Sequence, residues 1–235
     1  MTFRNLRETL LDVLFPAQCV VCGRTLVSGE RYMCLHCDAA LPRLSMRSIT
    51  DNEIHRRLMA KDAEIDRAVS LMAYRRESPF ARVIQTAKYG HRPGMCRHLG
   101  RRLATTAAKS VFFDGIDLIV PVPMPMLKKL RRGYNQSEEI ARGIADATGL
   151  PWADDCLRAR LHTTQTRKSA SERLDNASRT YYLPHPDDWN DVRHILLVDD
   201  VITTGATMLA CARHIHRAIP GVKVSVASVA LTSLA

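Results

Sequence analysis

The stretch Ile195-Leu-Leu-Val-Asp-Asp-Val-Ile-Thr-Thr-Gly-Ala-Thr207 limits the folds open to this chain more than any other. Residues Ile195 to Val198 are continuously apolar, as in a parallel strand covered on both faces, and Ala206, Met208, Leu209, Ala212 and Ile215 restart the pattern at helical spacing. Between strand and helix lie two carboxylates, Asp199 and Asp200, and a small, hydroxyl-rich turn. Open α/β sheets bind ligands in the crevice outside the carboxyl ends of their strands, which is where this turn falls. Thr203 and Thr204 offer hydroxyls, Gly205 lets the backbone approach closely, and the free N–H groups of the first helical turn attract a phosphate. The pattern predicts a ribose-phosphate cradle, with Asp199 and Asp200 facing sugar hydroxyls and a bound divalent ion. An Asp acting as helix N-cap explains one carboxylate but not the whole string. No Gly-Lys-Ser/Thr follows the glycine, so a Walker-type loop fits worse.

The same residues resemble the phosphoribosyl pyrophosphate (PRPP) signature of type I phosphoribosyltransferases, in which an apolar strand precedes two acidic residues, a hydrophobic pair, Thr-Thr-Gly and a helix. The resemblance implies that Thr203, Thr204, Gly205, Ala206 and Thr207 receive the 5′-phosphate. It also implies that Asp199 and Asp200 hold the ribose 2′- and 3′-hydroxyls of a Mg²⁺-bound PRPP.

A second feature is Cys19-Val-Val-Cys22, then eleven residues, then Cys34-Leu-His-Cys37. Each Cys-x-x-Cys turn brings two sulfurs together, so the spacing predicts a four-thiolate Zn²⁺ site of the ribbon type at Cys19, Cys22, Cys34 and Cys37. Disulfides or a redox pair are the alternatives, which a reducing cytoplasm and the lack of a thioredoxin-like context disfavour. His36 could replace a cysteine as ligand, but a solvated loop position is the simpler assignment. Cys96, Cys156 and Cys211 are scattered and are expected to be buried as small apolar residues.

At 235 residues and 46% hydrophobic composition the chain can build one α/β domain plus a small appendage. Lys and Arg total 34 against 24 acids, a net charge of +10 that biases the protein toward polyanions. No apolar run approaches the roughly eighteen residues needed to span a bilayer. Leu6, Leu10, Leu11 and Leu14 form one face of a short amphipathic helix rather than a signal peptide, and the expected location is cytoplasmic. The expected organisation is an N-terminal helix and zinc ribbon over 1–40, a connector over 41–63 with a short helix over 51–59, and an α/β domain over 64–235. In that domain strands are expected over 68–74, 118–122 and 222–231, and helices over 78–88, 94–111 and 136–148. Such alternation predicts a doubly wound, mainly parallel sheet. The polar, basic stretch over 152–190 is expected to form a hood or mobile loop over the carboxyl edge.

The strand at 118–122 runs into Pro121-Val-Pro-Met-Pro125 and then Lys128-Lys-Leu-Arg-Arg-Gly-Tyr-Asn-Gln136. This cationic turn into a helix is placed to receive a pyrophosphate, with Arg131 and Arg132 pairing bidentately; a solvated basic turn is the plainer alternative. A similar cluster runs from Lys88-Tyr-Gly-His through Arg97, Arg101 and Arg102, where an exposed helix face is an equal alternative.

Together these pieces resemble the ComF family of late competence proteins, also called double zinc ribbon and phosphoribosyltransferase-like proteins. The resemblance rests on the Cys pairs, Lys88-Tyr89-Gly-His, Pro121-Val-Pro123, Arg131-Arg132-Gly133-Tyr134-Asn135-Gln136, Gln165 with Arg173 and Asn176, and Asp199-Asp200-Val-Ile-Thr203-Thr204-Gly205. It implies a phosphoribosyltransferase fold used in DNA uptake or single-stranded DNA handling during natural transformation. The implied cofactors are structural Zn²⁺, and Mg²⁺ with PRPP, which Lys88 helps to bind. The implied partners are PRPP or a ribose phosphate, single-stranded DNA, and a DNA-uptake helicase or other competence proteins.

Thr203 stands where purine-type phosphoribosyltransferases carry an Asp, which removes the usual proton-transfer partner; orotate-type enzymes use a mobile-loop lysine instead, a part Lys168 could take. Two functions from different classes follow. One is a binding module in which single-stranded DNA runs over the basic hood and Tyr89, Tyr134, Tyr181 and Tyr182. The other is a Mg²⁺-dependent phosphoribosyltransferase moving ribose 5-phosphate from PRPP to a nitrogenous base, with Asp199, Asp200, Arg131 and Arg132 as its catalytic residues.

Overall fold

The structure, a computed structural model, describes residues 16–46, 48–59, 64–159 and 181–232. The expected N-terminal helix and Gln165, Lys168, Arg173 and Asn176 lie outside the described residues. In chain order the elements are α1 (Leu35–Ala39), α2 (Glu53–Met59), β1 (Ala68–Tyr74), α3 (Ala81–Tyr89), α4 (Pro93–Ala107), β2 (Leu118–Pro121), α5 (Met126–Arg132), α6 (Gln136–Thr148), β3 (Arg158–Ala159), β4 (Tyr181–Tyr182), β5 (His194–Ile202), α7 (Ala206–Ala218) and β6 (Lys223–Thr232).

β1, β6, β5 and β2 lie side by side in that order, and every neighbouring pair is parallel. The apolar run of β5 divides by alternation, because successive strand residues point to opposite faces. Leu196 and Val198 join a core with Met95, Leu99 and Leu103 of α4 and Ile140 and Ile144 of α6. Ile195 and Leu197 join a second core with Met208, Leu209 and Ile215 of α7 and Ile54 and Leu58 of α2. The sheet is therefore covered on both faces, the doubly wound arrangement the sequence predicts. On the first face α4 and α6 almost touch: a Cβ on Gly143 would lie 2.1 Å from the Arg97 carbonyl oxygen, and one on Gly100 would lie 2.2 Å from that of Ile140.

Among the boundaries that differ from expectation, three follow from contacts made elsewhere in the fold. β5 does not stop at the carboxylates; Asp199, Val201 and Ile202 pair with Ser228, Ala230 and Leu231 of β6, so the acidic pair lies within the strand. α4 ends at Ala107 rather than 111, because Arg67 Nη1 takes the carbonyls of Val111, Phe112 and Asp114 at 2.8–2.9 Å and holds them in turns. The expected connector joins the sheet: Leu44 N–H donates to Leu71 O, Ala73 N–H to Pro42 O, and Arg43 bridges Met72 in antiparallel fashion along the β1 edge.

Candidate functional site

Around the first metal-binding pattern, the sulfurs of Cys19, Cys22, Cys34 and Cys37 all lie within 4.8 Å of one another, with Cys22 and Cys34 at 3.8 Å. Zn–S bonds of about 2.3 Å in a tetrahedron demand sulfurs about 3.8 Å apart, so the donor set fits Zn²⁺. The Cys37 N–H donates to Cys34 Sγ at 3.4 Å. Burial pushes the Cys19 thiol up, but the backbone N–H groups of Cys22, Cys34 and Val21 outweigh it and bring it down to about 6, toward the thiolate that metal needs. Glu30 accepts the N–H groups of Val27 and Leu35 and the Arg24 guanidinium, which ties the two knuckles together. The four thiolates form a structural zinc site. Cys19, Val21, Met33, Cys34 and Cys37 belong to the same core as Val83 and Ile84 of α3, so the ribbon packs against the α/β domain.

At the carboxyl edge of the sheet, Asp199 Oδ1 accepts hydrogen bonds from Ser137 Oγ and the Asp200 N–H, both at 2.8 Å. Ser137 is fixed because Asn135 caps α6: its Oδ1 accepts the Ser137 N–H at 3.1 Å, and its Nδ2 donates to Val122 O at 3.0 Å beyond β2. Lys88 Nζ, near the end of α3, lies 3.2 Å from Asp200 Oδ2. Burial, followed by the neighbouring Asp200 charge, raises the Asp199 carboxyl to about 7, against the pull of Ser137, the Asp200 N–H and Lys88.

The turn from Thr203 to Thr207 follows directly. Gly205 has φ +80, a conformation glycine adopts without strain, and precedes the first turn of α7, whose Ala206 N–H donates to Thr204 Oγ1 at 3.4 Å. A Cβ there would meet Leu58 Cδ2 at 2.4 Å. Arg57, one residue earlier on α2, donates through Nη1 to the carbonyls of Thr203 and Thr232 at 2.8 and 2.7 Å. Tyr181 of β4 comes close to the same turn: burial pushes its phenol up, Cys211 and Asp199 add to that, and the Thr207 hydroxyl acts in the opposite sense.

The structure thus brings Asp199, Asp200, Thr203, Thr204, Gly205, Ala206, Thr207 and Lys88 together. The basic residues divide. Lys129 Nζ is held by Glu138 at 2.7 Å, and Arg132 donates to Gln136 Oε1 at 3.0 Å while stacking over Tyr89. Arg131 and Lys128 are exposed on α5, a helix with no buried residue. Arg97 and Arg101 both grip Asp146, which they hold at about 2, and Arg102 and Arg43 hold Asp38. Tyr134 donates its hydroxyl to Ala87 O at 2.6 Å, a packing role rather than a stacking surface. Asn135 falls within the quoted ComF motif, but its cap role, Ser137, Arg57 and Leu58 are new; Asn before a helical pattern signals the cap, whereas nothing local marks Arg57.

Among known proteins, residues 10–48 match the double zinc ribbon domain. The DNA utilization protein YhgH of Escherichia coli K12 is 26% identical over 213 residues, covering 86% of this chain and 92% of that one. Competence protein F of Haemophilus influenzae is 30% identical over 134 residues, 55% of this chain and 58% of the relative. In solved structures, the allosteric regulatory enzyme of purine biosynthesis aligns with a TM-score of 0.38 at 22% identity, over 58% of this chain and 25% of that one. The glutamine PRPP amidotransferase of B. subtilis, complexed with ADP and GMP, aligns with a TM-score of 0.39 at 20% identity, over 58% and 26%. The chain thus spans about a quarter of each of those longer chains.

A zinc ribbon packed on a parallel, doubly wound α/β domain, with an acidic pair and a glycine turn at the carboxyl edge of its sheet, defines an α/β protein with an N-terminal metal module. The double zinc ribbon and the likeness to YhgH and Competence protein F agree with the ComF resemblance seen in the sequence. Among the described residues, no helix is long and apolar enough to cross a membrane.

Proposed function

We propose that the chain binds PRPP or a ribose 5-phosphate, with Mg²⁺, at Asp199, Asp200 and the turn from Thr203 to Thr207, and that it serves DNA utilization in competence by handling single-stranded DNA. The observation that carries the ligand assignment is convergence. Two carboxylates, a fixed serine hydroxyl, a lysine and a helix N-terminus meet at one strand end. Asp199 and Asp200 would hold the ribose hydroxyls and the ion, the turn would take the phosphate, and Lys88 would exchange its Asp200 contact for a ligand phosphate. Mg²⁺ would neutralise charge on the pyrophosphate. The names of the relatives, DNA utilization protein and Competence protein F, support the cellular role, and the exposed Lys128 and Arg131 offer contacts to a nucleic-acid backbone. Calorimetry with PRPP and Mg²⁺ tests the ligand assignment: the wild type binds, and Asp199→Ala combined with Asp200→Ala abolishes binding. Unchanged affinity in the double variant would remove the pair from the site.

A catalytic alternative draws on the same cradle: transfer of ribose 5-phosphate from PRPP to a nitrogenous base. In its favour, the Asp199 carboxyl titrates at about 7 beside the ribose position, where it can hold or release a proton. Pyrophosphate release that depends on an added base, and that is lost in Asp199→Asn, is the result expected of a transferase. Absence of release with purine and pyrimidine bases would exclude it.

A further inference from the structure

The helix α2 lies before the α/β domain in the chain, yet two adjacent residues of it reach the phosphate turn. Arg57 Nη1 donates to the carbonyl of Thr203, the first residue past β5, and to that of Thr232 at the end of β6. Its Nη2 is held by Glu53 at 2.5 Å. The side chain is only 6% exposed, and its Nε is buried without a partner. Next to it Leu58, fully buried, fills the space under Gly205. With Nη1 on two backbone carbonyls and Nη2 on Glu53, the guanidinium is committed to the fold itself. It fixes the ends of two neighbouring strands relative to each other, and with them the turn between β5 and α7.

We infer that Arg57 is a positioning residue for the 5′-phosphate: α2 acts as a brace that holds the Thr203 to Thr207 turn in its phosphate-accepting shape. This rests on the ligand assignment proposed above. The turn carries its anion on backbone N–H groups, and such a site works only while those groups converge. Gly205 in the left-handed region and Thr203 with its carbonyl tied back form two fixed points on either side of Thr204. Loss of the brace frees the first of them. The buried positive charge of Arg57 adds a favourable potential for the phosphate, which Glu53 only partly offsets because it is half exposed.

The brace acts on one end of the ligand, and that separates it from general stabilisation. Ribose 5-phosphate needs the turn, whereas inorganic pyrophosphate with Mg²⁺ is the ligand that the sequence reading directs to Arg131 and Arg132 of α5. The test measures both affinities by calorimetry in wild type, Arg57→Ala and Arg57→Lys. The alanine variant leaves two carbonyls and Glu53 without their donor, so Arg57→Lys, which keeps the charge and one donor group, carries the test if the first does not fold. Ribose 5-phosphate affinity falls about tenfold or more in Arg57→Ala, as expected for hydrogen bonds from a charged group, with partial recovery in Arg57→Lys and pyrophosphate affinity unchanged. Parallel losses for both ligands, or no loss for ribose 5-phosphate in a folded variant, overturn the inference. A wild type that binds pyrophosphate but not ribose 5-phosphate overturns the ligand assignment itself, and the brace with it.

Discussion

Asp199 is the residue on which charge, burial and ligand meet. Its carboxyl sits at about 7 in the folded chain, against roughly 3.9 for an unfolded aspartate. Between those values the folded state holds the extra proton, so the stability this group contributes is fully present below about pH 4, declines as pH rises and levels off above about 7. Ligand binding runs the opposite way, because sugar hydroxyls and Mg²⁺ require the carboxylate. PRPP affinity should therefore rise with pH up to about 7 and then flatten, with a proton released on binding below that point. Calorimetry in buffers of different ionisation enthalpy reads the proton directly, and Asp199→Asn should abolish its release; a pH-independent affinity in the wild type would contradict this assignment. Gly205 offers a second residue-scale test. A side chain there must adopt φ +80 and displace Leu58, so Gly205→Ala should cost about 1–3 kcal/mol by thermal unfolding, whereas a neutral outcome would mean that the turn is looser than described.

Among the elements, those with strong local patterns match the sequence reading. β1 runs over 68–74 and α6 over 136–148, as expected, because an apolar run and an Asn cap are local signals. The acidic pair, by contrast, was expected to end its strand; pairing with β6, about thirty residues on, decides otherwise. The α2 brace could not be read at all, since Arg57 and Thr203 are 146 positions apart and a lone arginine in a polar stretch carries no sign of its partner. The basic cluster in α4 illustrates a further limit: composition counts charges, but only the fold shows that Arg97 and Arg101 are both committed to Asp146. The ribbon presents a related case. Its cysteines were legible from spacing, but its burial against α3 was not, and that alters what metal removal does. Structural zinc contributes on the order of 10 kcal/mol of apparent folding free energy in small modules. Chelation should unfold the ribbon and also lower the melting temperature of the α/β domain, because Val83 and Ile84 lose their cover. A metal assay finding no zinc in protein purified without chelator would contradict the site, and an unchanged melting temperature after zinc removal would contradict the shared core.

For the whole molecule, a net charge of +10 says that polyanions are favoured, and the structure narrows where. Lys129, Arg132, Arg97, Arg101 and Arg102 have acidic or polar partners, whereas Lys128 and Arg131 on α5 are exposed cations beside Met126, Leu127 and Leu130, all more than half exposed. If single-stranded DNA lies there, removing both cations should lower the salt slope of binding by about 1.4, from about 0.7 per phosphate contact. Arg97→Ala with Arg101→Ala should leave the slope unchanged and reduce stability instead. Oligothymidylate binding measured across salt concentrations separates these, and an unchanged slope in Lys128→Ala with Arg131→Ala would remove α5 from the DNA path. The account depends most on the turn at the end of β5 being the ribose-phosphate site. Backbone amide NMR during titration with PRPP and Mg²⁺ tests that directly: the signals of Thr203, Thr204, Gly205, Ala206 and Thr207, with Asp200, should shift together and saturate, whereas saturable shifts confined to other elements, or none, would contradict it.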